Sequence, residues 1–145
     1  MAEGDGHVYQ SFKKQLMDQV FDLGSDTIKC ALVSGHTLDE DGHTKWADIS
    51  ADEITDTSYA AATLTGLSVA STGTGTGTAA KGKWDAGDVT FSSLTGTDPN
   101  YAILYDDSVT GANADALIAA FELTTATNGG NYTLQWNASG ILTIS

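Results

Sequence analysis

The chain contains no arginine. Its cations are six lysines, Lys13, Lys14, Lys29, Lys45, Lys81 and Lys83, set against 19 acidic residues for a formal net charge of −13. That balance argues against nucleic-acid binding, where cationic side chains replace counterions on phosphates and arginine makes most bidentate base contacts. It argues equally against an anionic membrane surface. Cys30 is the single cysteine, so no internal disulfide framework is available. The first residues, MAEGDGHVYQ, hold neither a basic stretch nor an apolar core, so no secretory leader is expected. No run approaches the roughly 18 apolar residues of a membrane helix. Folding in a cytoplasm is the expectation. Pro99 is the only proline.

Apolar residues make up 41% of the 145, ordinary globular usage and enough for one domain with one core. The end of the chain carries the clearest pattern. In Asn131–Ser145, Tyr132, Leu134 and Trp136 alternate with Thr133 and Gln135, the period of a half-buried strand. Asn137-Ala138-Ser139-Gly140 follows as a turn, then Ile141–Ser145. A three-residue loop with a left-handed Gly140 pairs Trp136 with Leu142 and Leu134 with Ile144. A four-residue loop pairs Trp136 with Ile141 and Leu134 with Thr143. Only the first gathers all the large apolar side chains on one face, so a closing hairpin in that register is expected.

Taken in order, residues 1–7 are Gly-rich and acidic and read as a mobile arm. Residues 8–23 read as a helix, with Tyr9, Phe12, Leu16 and Val20 at helical spacing and Gly24 past its end. Its expected role is to plug an open edge or end of the β structure. Thr27–Val33 is the first strand, with Cys30 as a small buried apolar residue rather than a nucleophile. Ser34–Thr57 is a long acidic segment anchored by Trp46 and Ile49. Its LDEDGH stretch lacks the full spacing of an EF-hand, and His36 and His43 fit no zinc pattern, so a solvated acidic loop is expected there. Ser58–Val69 reads as a strand kinked at Gly66, and Ser71–Thr78 (STGTGTGT) as a flexible loop or exposed hairpin. Ala79–Phe91 reads as strand, turn at Asp85–Asp88, and strand. Ser92–Asn100 is a loop, and Tyr101–Tyr105 a central strand ended by solvated Asp106 and Asp107. Leu117–Leu123 is a further strand, although Ala114–Phe121 also fits a short helix, and Asn128-Gly129-Gly130 turns the chain.

These readings predict one all-β domain over 1–145, with strands over 27–145: an antiparallel β-sandwich or jelly-roll-like domain of about eight strands with one N-terminal helix. They yield no catalytic set, no cofactor site, no metal site and no defined interface. His7, His36 and His43 fall beside no nucleophile and orienting acid.

Several stretches in fixed order carry a resemblance: a helix, then SDTIKCALV, WADIS, TSYAAATL, WDAGDVTFSSLT, YAILYDD and LQWNASGILTI. Together they resemble a widespread family of small tailed-bacteriophage virion proteins over nearly the whole chain. The chain departs from that pattern in the Thr-Gly tract Ser71–Thr78 and the Ala-rich strand Ala114–Ala120. The resemblance implies a non-enzymatic decoration or cement protein on the exterior of an icosahedral capsid. It would be made in the host cytoplasm, bind the major capsid protein, and form a trimer or dimer at a capsid symmetry axis. It carries over no catalytic residues. The competing readings are a tail, neck or fibre component, a carbohydrate- or calcium-binding module, and an enzyme.

Overall fold

The computed structural model describes residues 4–73 and 81–145. In chain order the elements are β1 (Gly6–Val8), α1 (Gln10–Met17), β2 (Ile28–Val33), β3 (Ala62–Thr63), β4 (Ser68–Thr72), β5 (Lys81–Asp85), β6 (Val89–Phe91), β7 (Tyr101–Asp106), β8 (Ala116–Glu122), β9 (Tyr132–Leu134) and β10 (Leu142–Ile144). Single 3-10 turns lie at Trp46–Asp48, Ser50–Asp52 and Gly111–Asn113. The class is all-β with one N-terminal helix, and every strand pairing is antiparallel.

The largest sheet has the order β1-β8-β7-β2-β3. Its three central strands come from the most continuous apolar runs. Ala31, Leu32, Val33, Ala102, Ile103, Leu104 and Leu117 to Ala120 are fully buried, as expected of strands covered on both faces. Cys30 lies among them, its thiol pushed up to about 12 by burial, which removes it from thiolate chemistry. Of the Ala114–Phe121 stretch, residues 116–121 are strand and none is α-helix. Trp46 stacks on Tyr105 with centroids 5.0 Å apart, and Ile49 is buried, so both anchor the long segment after β2.

Several expectations are overturned. Residues 4–7 are no free arm: Gly6, His7 and Val8 pair with Phe121, Ala120 and Ala119, and the Gly4 amide bonds the Glu122 carbonyl. Glycine is needed at position 6 because a Cβ would stand 2.8 Å from the Phe121 ring. The helix is shorter than 8–23. Gln19 turns left-handed (φ +59°), and the Gln19 and Val20 amides bond the Leu16 and Gln15 carbonyls, a Schellman ending made without glycine. The helix lies against β8, while β1 takes the sheet edge.

The closing hairpin is absent. Asn137–Gly140 does form the turn, with the Gly140 amide on the Asn137 carbonyl and φ +101° at Gly140. The strands on either side part company, however: β9 pairs with β6 and β10 pairs with β5. Tyr132, Leu134, Trp136 and Ile141 are buried, but Ile144 is 63% exposed. The Asp85–Asp88 and Gly66 bends likewise carry the chain between sheets rather than within one, since β5 and β6 sit in different sheets, as do β3 and β4. Asp106 is a further correction and is taken up below. Of the Thr-Gly tract, Ser71 and Thr72 belong to β4, and residues 74–78 lie outside the described residues.

Candidate functional site

The three-stranded sheet β10-β5-β4 is separate from the five-stranded sheet. Its register places Val69, Trp84 and Leu142 in one cross-strand row and Ser71, Gly82 and Ile144 in the next. Alternation puts all six on one face. Trp84 roots that face in the body: it is 3% exposed and donates its indole N–H to the Leu23 carbonyl at 2.9 Å. Further out the face is bare. Val69 and Ile144 are two of the three large apolar residues most open to solvent among those described; the third is Met17 on α1.

The opposite face carries Ala70, Thr72, Lys81, Lys83 and Thr143 by the same alternation. Thr72, Lys81, Lys83 and Thr143, with Ala138 and Ser139, line an open hollow of about 410 Å³. Lys83 bonds Asp85 at 2.9 Å and the Ala138 carbonyl at 3.1 Å. β4 and β10 are the outer strands, each leaving a backbone edge free of a strand partner among the described residues. Open sheet edges and exposed apolar faces are features through which proteins can add strands or cover apolar surface on another molecule.

Three titratable clusters lie elsewhere. Asp106, expected in solvent, is fully buried. β7 runs one residue further than the apolar pattern, so Asp106 sits between Ile28 and Ala116 in the sheet. Its Oδ1 accepts the Ser108 amide at 2.8 Å, and among the described residues no group donates to its Oδ2. Its neighbour is the Asp26 carboxyl, and two carboxyls close together disfavour a second negative charge. Burial first, and Asp26 second, push Asp106 up to about 7. Asp107 is exposed, as expected.

His7 on β1 is held from both sides, Nδ1 at 2.8 Å from Glu40 and Nε2 at 3.1 Å from Glu122. Partial burial opposes its charge, but the bonds from Glu122 and Glu40 outweigh it and raise its pKa.

His36 and His43 come together although the sequence offers no pattern for them. The Asn100 side chain grips the His36 backbone, donating to its carbonyl at 2.8 Å and accepting its amide at 3.2 Å. His36 is buried, correcting the expectation of a wholly solvated loop. Asp39 shapes the next turn, its carboxylate accepting the Asp41 and Gly42 amides and its carbonyl the His43 amide. The two imidazoles end 5.4 Å apart, centroid to centroid. No group of three or more His, Cys, Asp or Glu placed to hold a metal exists among the described residues, and none of their helices is long and apolar enough to cross a membrane. Compared with family models, curated proteins and solved structures, the chain matches none.

Proposed function

We propose that this protein is a non-enzymatic structural component of a phage virion, a decoration or cement protein that binds the outside of an icosahedral capsid. The observation that carries the reading is the β4-β5-β10 sheet, which exposes Val69 and Ile144 on one face and leaves both edges without a strand partner among the described residues, on an otherwise well-packed acidic body. The capsid itself comes from the resemblance of the strand and turn stretches. The sheet is the docking surface, and the major capsid protein is its partner. Copies gathered as trimers or dimers at a symmetry axis bind multivalently, so each contact can be modest. A ligand of the assembled lattice stabilises the shell by mass action.

Capsids lacking the protein, mixed with it and sedimented, test this. The parent co-sediments, and a Val69→Lys/Ile144→Lys double variant, changed only at exposed positions, remains in the supernatant with an unaltered circular dichroism spectrum. Failure of the parent to bind capsids rejects the reading and favours a tail, neck or fibre position, to be checked on whole particles. Equal binding by the double variant rejects this sheet as the docking surface.

A further inference from the structure

We propose that His36 and His43 form a two-imidazole site for a divalent transition-metal ion of the zinc, copper and nickel class. The inference is independent of the docking sheet. The His36 side chain is 2% exposed, and its Nδ1 lies 2.7 Å from the Asp52 carboxylate. A carboxylate only accepts, so in the neutral ring the proton sits on Nδ1 and Nε2 is the nitrogen with the lone pair. That Nε2 is shut off from solvent and has no partner among the described residues. The same holds for Nδ1 of His43, on the neighbouring ring. Two buried, unsatisfied nitrogens on adjacent rings are rare in folded proteins, because such atoms lose their bonds to water and gain nothing.

A metal ion satisfies both. A carboxylate that fixes the far nitrogen of a ligating histidine, as Asp52 fixes His36, is the usual second contact of a metal-bound imidazole. The spacing also fits. An ion about 2.1 Å from a ring nitrogen sits roughly 3.2 Å from the ring centre. Two such rings with centres 5.4 Å apart subtend roughly 115° at the ion, near the tetrahedral angle. Imidazole nitrogen selects zinc, copper and nickel over calcium and magnesium, which take oxygen ligands. No third His, Cys, Asp or Glu is in place among the described residues, so the two imidazoles are the protein's ligands.

The full-length protein, stripped with a chelator, is titrated with zinc chloride by calorimetry, and its histidine ring signals are followed by NMR. One zinc binds per chain, the ring signals of His36 and His43 shift, and those of His7 do not, since both its nitrogens are already bonded to Glu40 and Glu122. Copper binds more tightly than zinc, and calcium and magnesium do not compete. His43→Ala, at a half-buried position, folds without metal and loses zinc binding. Asp52→Asn weakens it by about 10–100-fold. His7→Ala leaves it unchanged. No zinc binding by the parent, or equal binding by a folded His43→Ala variant, overturns the proposal.

Discussion

Replacing Asp106 by Asn changes how stability depends on pH, and the sign follows from the geometry. A carboxyl that is fully buried and faces Asp26 keeps its proton to about pH 7 in the folded chain, against about 3.9 when unfolded. Between those values the folded state binds the proton and the unfolded state does not. The stability from this group is therefore complete below the unfolded value and lost as pH rises through the folded one. The slope is at most about 1.4 kcal/mol per pH unit for one proton. The asparagine side chain fills nearly the same volume, cannot ionise, and offers an N–H to Asp26. Urea denaturation of parent and Asp106→Asn from pH 4 to pH 8 isolates the effect, because other acids, including Asp115, raised by burial and by Asp107, contribute to both proteins and cancel in the difference. The variant gains on the parent by up to about 1.4 kcal/mol per unit from about pH 4 to pH 7, and the difference levels off above that. A difference that does not change with pH, or a variant that loses ground as pH rises, would refute the buried carboxyl pair.

Three other outcomes follow from the packing. Trp136→Ala lowers stability by roughly 3–5 kcal/mol in urea, since the ring is 8% exposed, lies 5.3 Å from Phe121 and donates to the Gly87 carbonyl at 3.0 Å. Gly140→Val lowers it by about 1–3 kcal/mol, because φ there is +101° and a Cβ would meet Lys83 and the Trp84 carbonyl within 2.9 Å; an unchanged urea midpoint would contradict the turn. His7→Ala removes stability that the parent shows in full below about pH 6.5 and loses as the raised pKa of His7 is passed. Hydrogen exchange at Gly6 and Val8 then quickens in the variant, and equal exchange in both would exclude the His7 clamp.

Some of this is legible in the residues. IKCALV, YAILY and LIAAF are near-continuous apolar runs, and they are the three central strands of the main sheet. The burial of Tyr132, Leu134 and Trp136 follows from alternation. Their partners do not, because alternation assigns a face and not a neighbour: β9 and β10 find β6 and β5, more than forty residues away in sequence. The N-terminal residues read as an arm because glycine and acid suggest fraying, whereas Gly6 is there so that β1 can pass the Phe121 ring. Asp106 reads as a solvated end because Asp26, which faces it, lies some 80 positions earlier. His36 and His43 stand out as residue types, but their spacing matches no ligand pattern. Only the Asn100 grip and the Asp39 turn bring their rings together. The exposed face of the β4-β5-β10 sheet leaves little trace, since Val69 and Ile144 look like core residues until their strands are paired.

Cryo-EM of mature capsids that lack the protein, reconstituted with it, locates its binding site. The expected result is ordered density at every local threefold or twofold axis of the shell, with β4, β5 and β10 against the capsid protein and Val69 and Ile144 covered. Density confined to the tail vertex, a bare shell, or contact through another face of the molecule would contradict it.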